Sequence, residues 1–262
     1  MSDANPTPAE LFSLHGRTAL VTGGATGLGL HFARTLAAAG AQVILAARNA
    51  DRLHAAVETL AADGITAHTV VMDVTERSSV AAAVSAAEQA CAPIDILVNN
   101  AGIADTQPFL TMSEEAWSRV LDTDLSGVWR VSQEVARRMV AHKTQGAIIN
   151  IASILGLATQ ATQSNYATAK AGVIHLTRTM ARELWREGIR VNALAPGYFP
   201  TEINRDFFAS EKGQVYLTRL FPRRTGELTE LSGPLLLLAS DAGSYMTGVT
   251  LTVDGGTLLA GV

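Results

Sequence analysis

Seven short runs of β-branched and aliphatic residues, separated by longer alanine-rich segments, constrain the fold of this chain more than any other feature. The runs cover 18–22, 42–47, 67–72, 94–99, 146–151, 189–194 and 249–253. Each is too short for a stable helix and reads as a strand. The segments at 27–40, 50–63, 75–91, 113–142, 164–187 and 229–239 read as helices. Strict alternation of the two elements implies a parallel sheet, because parallel neighbours need a crossover long enough to hold a helix. The strands are apolar throughout rather than alternating, as burial under helices on both faces requires. Ser113-Glu114-Glu115-Ala116 and Thr229-Glu230 supply an N-cap and first-turn acids for two helices. No linker, repeat or low-complexity tract interrupts the 262 residues, so a single α/β domain over 11–262 is expected. Ahead of it, 1–10, with Pro6 and Pro8, reads as a flexible polar tail. The stretch at about 196–227 is too long for a plain connection and reads as a lid or substrate loop.

Composition removes several function classes. A net charge of -4, without a run of Lys or Arg, argues against a nucleic-acid surface, since phosphate binding draws on concentrated positive charge. No apolar stretch reaches the ~18 residues needed to span a bilayer, and the first ten residues lack the basic and apolar regions of a signal peptide. Cys91 is the single cysteine, so no intrachain disulfide forms, which fits a reducing compartment. These features describe a cytoplasmic protein with a small-molecule partner.

The first strand runs into Thr22-Gly23-Gly24-Ala25-Thr26-Gly27-Leu28-Gly29, and a helix follows. Glycines let the backbone approach a pyrophosphate, while amide groups at the helix start supply donors and a favourable dipole. Gly23, Thr26, Gly27, Leu28 and Gly29 are therefore candidate cofactor contacts; the alternative is an ordinary glycine-rich turn. The second strand ends Ala46-Ala47-Arg48, where a site for NAD usually carries an acid for the ribose 2′-hydroxyl. A neutral residue followed by a guanidinium suits a 2′-phosphate instead, which selects NADP(H) over NAD(H), unless Arg48 simply faces solvent. The turn itself holds no second basic residue. Asp73 and Val74, after the third strand, are candidates for contacting adenine, with a helix cap as the other role for Asp73.

Tyr166-Ala167-Thr168-Ala169-Lys170 supplies chemistry. On a helix the phenol and the ammonium stand one turn apart on one face. A neighbouring positive charge stabilises a phenolate, so the pair can exchange a proton; a surface helix with an unrelated Tyr and Lys is the bland alternative.

Taken together these motifs resemble the short-chain dehydrogenase/reductase family. The resemblance rests on TGxxxGxG at 22–29, Asn99-Asn100-Ala101-Gly102 after the fourth strand, Ser153 thirteen residues before Tyr166, the YxxxK pair and the Pro196-Gly197 turn. It implies a doubly wound Rossmann fold with a seven-stranded parallel sheet, a nicotinamide cofactor and interconversion of an alcohol and a carbonyl. It also implies that Ser153 binds the substrate oxygen, that Tyr166 moves the hydroxyl proton, and that Lys170 holds the nicotinamide ribose and favours the phenolate. By the same likeness Asn99, Asn100, Ala101 and Gly102 brace the sheet and contact the cofactor, and Pro196, Gly197 and Thr201 lie near the nicotinamide amide. One residue departs from the pattern: Asp124 stands where the family carries a catalytic Asn that interrupts a helix. Its charge is expected to oppose a nearby tyrosinate and alter the pH dependence.

Ala104, Ile154, Leu155, Tyr198, Phe199, Phe207, Phe208, Tyr216 and Leu217 either line a mostly apolar pocket or pack the long loop against its own core. Arg223-Arg224 reads as a structural tie for that loop. The family likeness implies a homotetramer, and the long helices at 113–142 and 164–187 and the apolar C-terminus permit one. Two other readings remain. One is a dinucleotide-binding protein without catalysis, and the other is an isomerase or epimerase that uses nicotinamide transiently. An NAD-preferring alcohol dehydrogenase is the nearest variant of the main reading.

Overall fold

Every expected strand forms, and all seven join one sheet. A computed structural model describes residues 5–201 and 205–260, leaving out the side chains of Arg205, Phe207, Arg219 and Ala260. In chain order the elements are α1 (Pro8–Leu11), β1 (Thr18–Thr22), α2 (Gly27–Ala38), β2 (Gln42–Ala47), α3 (Ala50–Ala62), β3 (Ala67–Val71), α4 (Arg77–Ala90), β4 (Ile96–Asn99) and α5 (Glu114–Leu121). A π-helical turn (Asp122–Ser126) leads into α6 (Gly127–His142), β5 (Gly146–Ile151), α7 (Ser164–Leu184) and β6 (Ile189–Pro196). Then come α8 (Arg205–Ala209), α9 (Glu211–Arg219), α10 (Ser232–Ala239), β7 (Thr250–Val253) and α11 (Thr257–Ala260). The sheet order is β3-β2-β1-β4-β5-β6-β7, with every neighbouring pair parallel.

Successive residues of a strand point to opposite faces, and the two cores follow that period. Ala19, Val21, Val43, Leu45, Ile96 and Val98 join Phe32, Leu36, Leu60, Leu235 and Leu238 on one face. Leu20, Ile44, Ala46, Leu97 and Ile148 join Val80, Val84, Val131, Val135 and Met139 on the other. Removing a side chain of this size from water is worth about 1.5–3 kcal/mol, which is why the central strands carry no polar alternation.

The structure departs from the sequence reading at several points, among them Thr229, which lies inside a 3-10 turn (Leu228–Leu231) capped by Glu227, so that the following helix starts only at Ser232. The polar tail is not wholly irregular: Thr7 caps α1, with its hydroxyl accepting from Glu10 N–H and the Glu10 carboxylate accepting from Thr7 N–H. The long segment after β6 contains α8 and α9, the latter capped by Ser210. The edge strands β3 and β7 are only partly buried, because an edge has one neighbour and less cover. Finally, the helix read at 113–142 is interrupted by the π turn, and Asp124 lies inside it.

Strand order reverses beside β1, so the chain leaves β1 and β4 in opposite directions. The crevice beyond their carboxyl ends is where open α/β sheets bind ligands. Both the glycine turn and the Asn99–Gly102 segment open there.

Candidate active site

The glycine turn is shaped by how little room it has. Gly23 adopts φ +62°, and a Cβ there would lie 2.9 Å from Asn100 Nδ2 and 3.0 Å from Ala101 Cα. A Cβ on Gly29 would collide with Gly23 O and sit 2.6 Å from Asn100 Nδ2. Asn100 Nδ2 donates to Thr22 O (3.1 Å) and Gly23 O (3.2 Å), and Thr22 Oγ1 accepts from the N–H groups of Asn100 (3.0 Å) and Ala101 (3.1 Å). The turn after β1 and the loop after β4 are thus one unit. Thr22 and Asn100 form its tie, which the motif spacing alone did not assign.

Thr26 is the N-cap of α2, yet its side chain makes no capping bond, whereas Asn49, Ser113 and Ser210 cap α3, α5 and α9. The first-turn N–H groups of a helix need partners. Leaving them uncapped beside glycines is what an anion site requires. A Cβ on Gly27 would lie 3.6 Å from Thr201 Cγ2, which brings the segment after β6 over the same helix start.

At the end of β2, Arg48 is exposed and has no hydrogen bond or ion pair among the described residues. Asp73 is partly buried and closes a local turn: its Oδ1 accepts from Thr75 N (2.9 Å) and Thr75 Oγ1 (2.7 Å). Burial pushes its carboxyl up, but those bonds and the charges of Arg48 and Arg130 outweigh burial and hold it below the usual range. Val74 is buried and packs on Gly127. These residues fit a dinucleotide: a glycine cradle, uncapped helix donors and, at the end of β2, an exposed guanidinium unpaired among the described residues.

Beyond β5, Ser153 caps a short 3-10 turn, its Oγ accepting from Leu155 N–H at 3.1 Å. The hydroxyl proton remains available to a ligand. Gly156 brings this turn onto α7, where a Cβ would lie 2.8 Å from the Lys170 carbonyl carbon. Asn165, fully buried, donates to Asp105 O (3.1 Å) and Ala116 O (3.3 Å) and accepts from Tyr166 N–H (2.8 Å), which fixes the start of α7.

Tyr166 is half-buried, and Lys170 Nζ lies 5.4 Å from its ring centroid. The ammonium donates to Ile151 O at 3.1 Å and stands 3.2 Å from Asp124 Oδ2. Burial acts to strip the proton from Lys170, but the neighbouring Asp124 carboxylate and the Tyr166 oxygen outweigh it and hold the amine above its ordinary value. Burial likewise pushes the Asp124 carboxyl up, opposed by Lys170 and the Ile103 N–H.

The pocket residues divide. Ile154, Leu155, Phe199 and Phe208 are buried; Phe199 belongs to the core and packs on Gly226, and Phe208 meets the Tyr198 ring edge-on. The Phe207 side chain lies outside the described residues. Ala104 is exposed and Leu217 partly so. Three polar side chains also meet here: Tyr216 Oη lies 2.6 Å from Tyr198 Oη, Tyr198 Oη donates to Gln160 Oε1 (3.3 Å), and Gln160 Nε2 donates to Tyr216 Oη (3.4 Å). Burial raises the Tyr198 phenol, with Tyr216 and the nearby Tyr166 adding to it, so its hydroxyl stays protonated. Gln160 was missed because only tertiary structure brings it to the two tyrosines.

Arg224 grips Glu230 through two 2.7 Å contacts, the loop tie read from the sequence. Pro196 ends β6 and Gly197 is pressed against Asp254, with its N–H donating to Val253 O at 2.9 Å.

With this geometry in place, the family model for short chain dehydrogenases matches residues 17–212. The chain belongs to the short-chain dehydrogenase/reductase family, oxidoreductases that act on CH–OH groups. Gluconate 5-dehydrogenase of Gluconobacter oxydans is 40% identical over 248 residues, covering 94% of this chain and 96% of the relative. The 3-oxoacyl-acyl-carrier-protein reductase of Escherichia coli is 37% identical over 244 residues, covering 93% and 98%. A crystal structure of a gluconate 5-dehydrogenase from Burkholderia cenocepacia in complex with NADP and tartrate superposes with a TM-score of 0.91 at 38% identity, covering 97% of this chain and 99% of that one.

Proposed function

We propose that this protein interconverts a ketone and a secondary alcohol on a small hydroxylated carboxylic acid, of the keto-gluconate class, with NADP(H). The observation that carries this reading is the half-buried Tyr166 phenol beside the buried Lys170 ammonium, on the helix that packs against the Ser153 turn. Gly23, Thr26, Gly27, Leu28 and Gly29 cradle the pyrophosphate, Arg48 pairs with the 2′-phosphate, and Asp73 and Val74 border the adenine. Asn100, Ala101, Gly102, Pro196, Gly197 and Thr201 enclose the nicotinamide end. The cofactor supplies the hydride, and the protein supplies geometry and the proton.

Negative charge builds on the substrate oxygen during reduction, so a positioned donor and an acid lower the barrier. Ser153 donates its hydroxyl to that oxygen and Tyr166 delivers the proton. Lys170 places positive charge beside the resulting phenolate and binds the nicotinamide ribose. The Gln160, Tyr198 and Tyr216 cluster offers hydroxyl and amide groups to a polyhydroxylated chain, which favours a sugar acid over an acyl thioester.

The assembly we infer is a cytoplasmic homotetramer. Phe109, Leu110, Trp129, Tyr245 and Leu259 are exposed large apolar side chains, and such surface favours symmetric association. Light scattering should give the mass of four chains.

The function is tested by following loss of NADPH absorbance with 5-keto-gluconate and with a 3-oxoacyl thioester. Turnover of the keto acid supports the proposal; turnover of the thioester alone replaces its substrate class; and cofactor binding with no turnover of any carbonyl overturns it.

A further inference from the structure

Only one ion pair among the described residues is buried at both ends. The side chains of Lys170 and Asp124 are 5% and 0% exposed, whereas every other pair is at least a tenth exposed on each side. Taking two charges out of water is costly, and such a pair is weak evidence for stability, so its presence calls for another reason.

Asp124 is anchored through one carboxylate oxygen and closely packed at the other. Its Oδ1 accepts from Ile103 N–H at 2.8 Å, and Gly102 lies so close that a Cβ there would sit 2.7 Å from Oδ2. The aligned hydrogen bond of the Lys170 ammonium goes to Ile151 O, which leaves Oδ2 in charge contact without an aligned donor. An amide at this position would keep the bond to Ile103. The carboxylate adds only charge, aimed at the lysine.

Other ionisable groups on the packed elements do not share this site. Asp122 is bound to Arg130 at 2.6 Å and Arg119 to Asp105, while Glu114, Glu115, His175 and Arg178 are exposed. Lys170 and, beyond it, Tyr166 are what the carboxylate faces.

We propose that Asp124 is a positioning residue: its direct buried ion pair fixes Lys170 against the loop after β4 and cancels part of the field that the lysine exerts on Tyr166. The consequence is an oxidation reaction whose acid limb lies at higher pH than it would with a neutral side chain at 124. The catalytic half of this inference rests on the proposed dehydrogenase activity; the ion-pair half does not.

Two measurements on the full chain separate them. In Asp124→Asn, the acid limb of the pH profile of kcat/KM for alcohol oxidation should move down by about one pH unit, since a charge this near shifts a titration by roughly 1–3 units and acts here at one remove. The KM for NADP should stay within about twofold, because the Ile103 bond survives. A limb that does not move overturns the proposal. In the second, Lys170→Met strands the Asp124 carboxylate. A stranded buried acid binds its proton more tightly folded than unfolded, so the melting temperature should fall as pH rises from about 4 to about 8. Adding Asp124→Asn should remove that slope. A Lys170→Met protein with no such slope, or a slope that persists in the double variant, shows that the pair carries no charge and overturns the proposal without reference to turnover.

Discussion

The two ends of the active site are built differently. The phosphate cradle is made almost wholly of backbone, drawn from one contiguous strand–turn–helix unit and locked by Thr22 and Asn100. The substrate mouth we propose is made of side chains from three separate segments, Gln160, Tyr198 and Tyr216, held by hydroxyl and amide hydrogen bonds of 2.6 to 3.4 Å. The first is governed by steric exclusion, which tolerates almost nothing; the second by individual hydrogen bonds, each worth about 0.5–1.5 kcal/mol net. Changes in the cradle should therefore act on the cofactor and be severe, and changes at the mouth should act on the substrate and be graded.

The largest effect is expected for Gly29→Val. The new branch has nowhere to go between Gly23 O and Asn100, and a displacement of about 1 Å here is expected to cost about a hundredfold. Steady-state kinetics should show that loss in kcat/KM for NADPH, and a wild-type value would break the steric account of the cradle.

Arg48→Ala comes next. Charge-assisted bonds contribute about 1.5–3 kcal/mol, so the KM for NADPH should rise roughly tenfold to a hundredfold while that for NADH barely changes. Equal effects on both cofactors would remove the 2′-phosphate from the argument.

The smallest of the three is Gln160→Ala, for which the KM of the keto acid should rise about three- to tenfold with the KM of NADPH unaltered. A change in the cofactor constant instead would show that the two ends are not independent.

The same division explains what could be read from the sequence. β1, β2 and β5 were placed to the residue, because each carries a continuous buried apolar stretch with sharp ends. The cradle, Ser153, Tyr166 and Lys170 were legible because fixed local spacing positions them. Ser210 and the sequence around it could have shown α9, but the expectation of a lid over 196–227 hid that ordinary cap. The Tyr198–Tyr216–Gln160 cluster was not legible, since residues 18 and 38 apart meet only once β6 and the following helices are in place. Asp124 was visible as a departure, but not the direct contact with Lys170, because a π turn shifts a helix face by a step that no periodic pattern predicts.

The central claim is that Tyr166 delivers the proton. The direct measurement compares keto-acid reduction at saturating NADPH by the wild-type protein and by Tyr166→Phe, which removes one oxygen and keeps the ring. The account predicts a fall in kcat of about a thousandfold, within the range of a lost general acid, with NADPH affinity retained. A phenylalanine enzyme that turns over within a few-fold of wild type would contradict it.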